Sequence, residues 1–422
     1  MIAFARALPS TQTRRTKGCV DAAKSRSPRP FAVAIIPRMS APESPAPARI
    51  TSIDAYRGFV MFLLIAERFD ISAVAKALPD SAFWNFLHAQ QSHVAWTGCV
   101  LHDMIQPSFS FLVGVALPFS LISRRAQGQT FGTMTLHAFA RALVLIFLGI
   151  GLRSVGHPQT NFTFEDTLTQ IGLGYGFLFL LAWRPVRAQW IALGVILAGY
   201  WLAFALWPLA AGSQPLTDFA AHWNKNTNPA SAFDTWFLNL FPREKPFVTN
   251  GGGYVTLSSI PTLGTMILGL LAGGILRSSR STLEKVRWLA IAGVISLASG
   301  WLLGATGICP VVKRIWTPSW VLFSGGWCLL LMAAFLALID LHGWRKWSFP
   351  LVVIGMNSIA AYVMSEWLFA DFFRQAFQRH LSARFFEMFG APYAPFVLGS
   401  CVVLTFWLIL FWMCRRKIFL RI

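Results

Sequence analysis

Charge is what this sequence has least of. Only 13% of its 422 residues are charged while 55% are hydrophobic, and ordinary soluble domains carry about a quarter charged residues. A soluble fold is therefore disfavoured. Acidic residues are scarcer still, 17 Asp and Glu against 36 Lys and Arg, which leaves a formal charge of +19. That excess does not call for nucleic acid as a partner. The basic residues lie in short clusters between apolar blocks and in one basic leader, where membrane topology accounts for them. Cysteine is also sparse: Cys19, Cys99, Cys309, Cys328, Cys401 and Cys414 form no CxxC pair, so neither a zinc nor a redox site is expected, and no metal. The alternation of a membrane β-barrel is missing from the continuous apolar runs. No tripartite signal peptide can be drawn around the short apolar stretch 31–37. The GGG at 251–253 lacks the strand and helix of a phosphate loop and reads as a loop or hinge.

What the chain does have is long apolar blocks and a mean hydropathy of +0.55. Blocks of about 20 residues suffice to cross a hydrocarbon layer of about 30 Å, and in lipid each must be helical because an unpaired backbone amide costs several kcal/mol. Spans are expected near 53–68, 101–122, 131–152, 168–183, 190–211, 257–276, 288–305, 320–341, 349–369 and 396–414. The fold class is all-α, a polytopic transmembrane bundle of about ten helices. Residues 1–48 read as a basic, disordered leader, with Met39 as an alternative start, and 49–422 as the transmembrane domain. Basic clusters at Arg124 and Arg125, Arg184 and Arg187, Arg277 to Arg287, Arg345 and Lys346, and Arg415 to Lys417 follow every second span. The positive-inside rule then places both termini in the cytoplasm and loops 69–100 and 212–256 outside, as in a multi-pass protein of a bacterial inner membrane. Lys313 and Arg314 stand on the outer side against that rule.

Few polar groups sit at membrane depth, where a charge costs about 2.5 to 3.5 kcal/mol. Asp54 and Arg57 share a helical face in SIDAYRG, as an interfacial ion pair or as ligand-holding groups. The segment from His93 through Trp96, His102, Asp103 and Pro107 gathers ionisable and aromatic residues where the chain enters the bilayer. Such a His is either an interfacial hydrogen bonder or, beside a carboxylate, a general base or acyl acceptor. Asn357 and Ser358, followed by Glu366, interrupt an apolar helix, which fits interhelical hydrogen bonding or a site lining. Gly264, Gly269, Gly273 and Gly274 allow close backbone approach.

These strings together resemble the heparan-alpha-glucosaminide N-acetyltransferase family. The resemblance spans about residues 49 to 370. It rests on RITSIDAYRGF, on H-x-x-W-x-G-x-x-x-x-D-x-x-x-P-x-F from His93 to Phe109 with FLVGVALPFS after it, on KRIWTPSW at 313–320 and on GMNSI at 355–359. It implies acetyl transfer from cytoplasmic acetyl-CoA, as acyl donor, to an amino sugar or other glycan on the far side of the membrane. His93 is then the catalytic residue with Asp103 to orient it, and Asp54, Arg57, Trp96, Lys313, Asn357 and Ser358 are candidates for binding substrate or CoA. Where the family commonly has Asn near the end of the first helix, this chain has Glu67 and Arg68. The implied partners are membrane lipids, the CoA thioester and the acceptor; a homodimer is left open. The rival readings are a transporter, which predicts paired broken helices in two corresponding halves, and a noncatalytic protein that keeps the fold.

Overall fold

The computed structural model describes residues 50–209, 216–365 and 367–420; the leader 1–48 and Glu366 lie outside them. The chain forms helices α1 Thr51–Ile65, α2 Ile71–Ala77, α3 Ala82–Gln91, α4 Ile105–Ala126, α5 Phe131–Ser154, α6 Thr167–Ala182, α7 Val186–Ala205 and α8 Pro229–Phe237. There follow α9 Ser259–Arg277, α10 Thr282–Ala305, α11 Pro318–Phe335, α12 Phe349–Met356, α13 Ser358–Ser365, α14 Trp367–His380, α15 Ala383–Phe386 and α16 Ala394–Arg415. Among the described residues the one β pairing is an isolated antiparallel bridge between Thr97 and Val312.

Seven of these helices, α4, α5, α7, α9, α10, α11 and α16 with their adjoining turns, are long and apolar enough to cross a membrane. The protein is an integral membrane protein with an all-α bundle. The three remaining expected spans are helical but shorter or broken: α6 has 16 residues, α1 has 15 and continues into a 3-10 turn Ala66–Phe69, and the 349–369 block splits into α12 and α13 at Asn357. Helix starts in the bundle carry local capping signals. Asp166 caps α6 by accepting the Leu168 and Thr169 amides, and Ser281 with Glu284 forms a reciprocal capping box at α10.

Burial sorts the spans. In α5, α7 and α10 only 22–28% of the apolar window is buried, whereas in α9 72% is, so α9 is the inner helix, packed on α4, α6 and α7. Glycine makes this approach close. A Cβ at Gly269 or Gly273 would overlap the Phe111 or Val115 carbonyl of α4, and one at Gly114 would overlap the Met266 carbonyl of α9. Gly264 has ordinary side-chain neighbours and Gly274 faces open space, so two of the four glycines read as packing residues form the seam with α4.

Outside the spans, α8 belongs to a layer formed by the loop from 216 to 258. Its Asp234 is 2% exposed; one carboxylate oxygen accepts the Thr256 amide at 2.9 Å and the other is buried with no partner. Burial, with Glu165 nearby, pushes its pKa from 3.8 up to about 6. The folded chain therefore holds a proton that the unfolded chain releases, so this contribution to stability is full below about pH 4 and lost as pH rises through about 6, a swing of about 3 kcal/mol. Melting of the detergent-solubilised protein between about pH 4 and 7 is expected to show this loss in the wild type and a flatter profile in Asp234→Asn. Equal slopes would show that Asp234 is ionised throughout.

Candidate functional site

Two regions carry the expected site residues, one at each end of α4. The first is built by the loop after α3, the 3-10 turn Leu101–Met104 ahead of α4, and the loop before α11. The Thr97–Val312 bridge, with the Gly98 amide donating to the Val311 carbonyl at 3.0 Å, lays the loop of His93 beside that of Lys313. Arg314 ties both to the loop before α9: it donates to the carbonyls of Val94 and Gly252 and stacks over Tyr254 with 5.4 Å to the ring centroid. The two cations that run against the charge rule in the expected topology are thus held by specific partners.

Asp103 is the hub. Its Oδ1 lies 2.7 Å from His93 Nδ1 and 3.1 Å from Lys313 Nζ, and its Oδ2 accepts the backbone amides of Val100 at 3.2 Å and Val94 at 3.5 Å. A carboxylate with four donors is held ionised and fixed in place. Lys313 is 6% exposed, and burial lowers its pKa, against the opposing pull of Asp103. With Nδ1–H given to Asp103, the His93 ring keeps Nε2 for proton or acyl transfer; its side chain is 39% exposed, so an acceptor can reach it. His102, next to Asp103, makes a second imidazole–carboxylate contact, Nε2 to Glu67 Oε1 at 3.0 Å, and its ring centroid lies 4.7 Å from that of His93.

The second region is a cavity of about 800 Å³ between α1, α4, α5, α6, α12 and α13, within the size range of ligand sites. Arg57, Arg124, His137, Arg141 and Ser358 line it, together with Phe419 and Leu420 of the tail. Arg57 is paired with Asp54 at 3.2 Å. Arg141 stacks over Tyr175 at 4.9 Å and donates to its hydroxyl at 3.3 Å, while its Nε is buried without a partner. Arginines and a histidine lining a cleft of mixed polarity suit a phosphate-bearing ligand. The cavity follows α4 from Arg124 to Phe109, about 22 Å of helix rise, and stops about 9 Å of rise short of Asp103.

The expected residues thus divide. His93, Asp103 and Lys313 meet at one end, and Arg57, Ser358 and, through Arg57, Asp54 serve the cavity. Trp96 joins neither. It is 5% exposed, packs with Tyr200, Phe204 and Trp223, and donates from Nε1 to the Trp223 carbonyl at 3.0 Å. Asn357 is fully buried and clamps the tail: its amide donates to the Ile418 carbonyl at 3.0 Å and accepts the Leu420 amide at 3.2 Å. Cys99 and Cys309, both on the outer side of the expected topology, are free thiols. Sequence reasoning passed over His137 and Arg141, although two ionisable residues four apart within an apolar span are themselves a signal of function. It named Glu67 and His102 without pairing them, since they are far apart along the chain.

No family model matches the chain. Among curated proteins, the heparan-alpha-glucosaminide N-acetyltransferase of Homo sapiens is 23% identical over 432 aligned residues, covering 90% of this chain and 61% of its own length. That of Mus musculus is 21% identical over 394, covering 79% and 57%. The chain spans about three fifths of the length of these relatives. At this identity, over most of the chain and with the motif order described above, the chain is similar to the heparan-alpha-glucosaminide N-acetyltransferases.

Proposed function

We propose that the protein is a membrane acetyltransferase that takes its acetyl group from acetyl-CoA bound in the arginine-lined cavity and delivers it to an amino sugar or other glycan at the His93 end. The observation that carries this reading is the pairing of His93 with Asp103 at the opposite end of α4 from Arg124. The rise between Asp103 and Arg124 is about 30 Å, the thickness of the hydrocarbon layer. With the termini in the cytoplasm, the Arg124 end of α4 faces the supply of CoA and His93 faces outward.

The chemistry asked of the chain's residues is limited. Arg57, Arg124 and Arg141 would hold the phosphates, and the apolar walls at Leu112, Val113 and Ile171 would receive the uncharged arm. His93 Nε2 takes the proton from the acceptor as its bond to the acetyl carbon forms, and returns it to the sulfur as the C–S bond breaks. Asp103 keeps the ring in the Nδ1–H tautomer and stabilises the imidazolium. A transporter is less well supported, because the ionisable residues lie in two unlike groups at the ends of α4.

Proteoliposomes loaded with a glycan acceptor and given radiolabelled acetyl-CoA outside test the reading. Labelled product inside sealed vesicles is expected; label that never reaches the acceptor, or that requires leaky vesicles, sinks transmembrane transfer. In the same assay Arg141→Met is expected to raise the KM for acetyl-CoA by about ten- to a hundredfold, as befits a lost charged hydrogen bond, with a smaller change in kcat. An unchanged KM would remove Arg141 from the CoA site.

A further inference from the structure

The Glu67–His102 pair has no part in the transfer as written above, yet it is built as carefully as the His93–Asp103 pair. His102 and Asp103 are consecutive residues of one 3-10 turn, and each supplies half of an imidazole–carboxylate contact: Asp103 to His93 at 2.7 Å, His102 to Glu67 at 3.0 Å. The rings are 4.7 Å apart at the centroids and tilted by 53°. Glu67 is not a loose surface acid. The turn that carries it is pinned on both sides, where Gln91 Nε2 donates to the Ala66 carbonyl at 3.0 Å and Arg68 Nη2 donates to the Ser365 carbonyl at 2.5 Å. A Cβ at Gly399 of α16 would overlap the Arg68 carbonyl, so the turn also rests on that helix. The His102 side chain is 9% exposed and that of Glu67 36% exposed, so the pair turns its carboxylate outward and its imidazole inward, beside His93.

We infer that Glu67 and His102 form a second proton acceptor, which strips an ammonium acceptor to its free amine before His93 acts. The inference rests on the acetyltransferase reading and adds to it. Proton accounting motivates it. An amine that arrives as R–NH3⁺ must lose one proton before nitrogen has a lone pair to attack with, and a second as the N–C bond forms; a hydroxyl acceptor loses only one. His93 Nε2 can carry one proton at a time. The first proton passes from the ammonium, held at the outward carboxylate of Glu67, to the Glu67–His102 pair. The amine nitrogen then bonds to the acetyl carbon, the C–S bond breaks, and the second proton travels by way of His93 to the CoA sulfur. The Glu67–His102 pair returns its proton to water. In sum R–NH3⁺ and acetyl-CoA yield R–NH–COCH3, CoA–SH and H⁺, with charge balanced.

The charged neighbours that would shape this titration are Arg68 on the same turn, His93 on its loop, and Asp103 and Lys313 behind them. The facing end of α3 offers the neutral Gln90 and Gln91, and α16 carries no charged residue before Arg415.

The test compares two acceptors with acetyl-CoA as donor: an amino sugar, which is an ammonium ion below its own pKa, and an arylamine, which is uncharged across the same range. In Glu67→Gln the ratio of kcat/KM for the amino sugar to that for the arylamine is expected to fall about a hundredfold below the amino sugar's pKa, and to recover as pH rises through it. A purely structural role for Glu67 would lower both acceptors together and leave the ratio flat in pH, and that result overturns the inference. Should Glu67→Gln fail to fold, as judged by its melting curve, His102→Gln reads the same ratio. A wild-type protein that acetylates neither acceptor overturns the acetyltransferase reading itself, whereas transfer with an unchanged ratio in the variants overturns only the second proton acceptor.

Discussion

His93→Ala is expected to lower kcat for acetyl transfer by about a hundred- to ten-thousandfold, the range spanned by a positioned general base, while the protein still binds CoA and melts as the wild type does. The separation of effects follows from the geometry. His93 sits on a loop with its side chain 39% exposed, so its removal leaves no cavity in the core, and the arginines of the cavity proposed for CoA lie toward the far end of α4. Asp103→Asn makes the contrast. It too should cost activity, because an amide in place of the carboxylate no longer fixes the His93 tautomer. Unlike His93→Ala, it also leaves Lys313, 6% exposed, without its counter-charge, and breaking a buried pair costs about 3 to 5 kcal/mol. Kinetics and calorimetry on the two variants should therefore disagree: one loses activity alone, the other activity and stability. A His93→Ala variant with near-normal turnover would remove the imidazole from the chemistry, and an Asp103→Asn variant of unchanged stability would show that Lys313 is discharged in the fold.

The second large effect belongs to the α4–α9 seam. Gly269→Ala is expected to destabilise the bundle by about 1 to 3 kcal/mol, the cost of overpacking, and Gly269→Leu to prevent recovery of monodisperse protein. The reason is steric: a Cβ at Gly269 overlaps the Phe111 carbonyl, and backbone cannot turn aside as a side chain can. To make room α9 must move off α4, and the residues flanking Phe111, namely Phe109, Leu112 and Val113, are walls of the arginine-lined cavity, so the proposed CoA affinity should fall along with stability. Gly274→Ala is the control. It lies five residues on in the same helix with open space before it, and it should be neutral or gain up to about 1 kcal/mol from helix propensity. Equal behaviour of Gly269→Ala and Gly274→Ala would show that the seam is not tight.

Much of this protein was legible in order along the chain. Apolar blocks of spanning length had to be helices because lipid offers backbone amides no other partner, and among the described residues each of the ten expected blocks holds a helix. The motif from His93 to Asp103 and the KRIWTPSW string marked the residues that meet at the start of α4, since a charge at a membrane boundary needs a reason whatever the fold. Less legible was which polar residue serves which task. Trp96 and Asn357 stood in the motifs beside His93 and Ser358 and looked equally eligible, yet one is buried in an aromatic cluster and the other clamps the tail.

What the sequence alone determined is therefore the material: a membrane bundle, loops rich in basic residues, and a His with a carboxylate just ahead of a spanning helix. What only the tertiary structure decided is company. Lys313 reaches Asp103 across 210 positions, Glu67 reaches His102 across a helical hairpin, and Arg57, Arg124 and Arg141 line one cavity from three different helices. The physical reason is that helix periodicity is local, repeating every 3.6 residues, whereas these pairings depend on how α1, α4, α9 and the loop before α11 pack against one another. That packing includes the glycine contacts of α4 with α9 and one loop bridge, which carry no signal of their partner in the sequence around them.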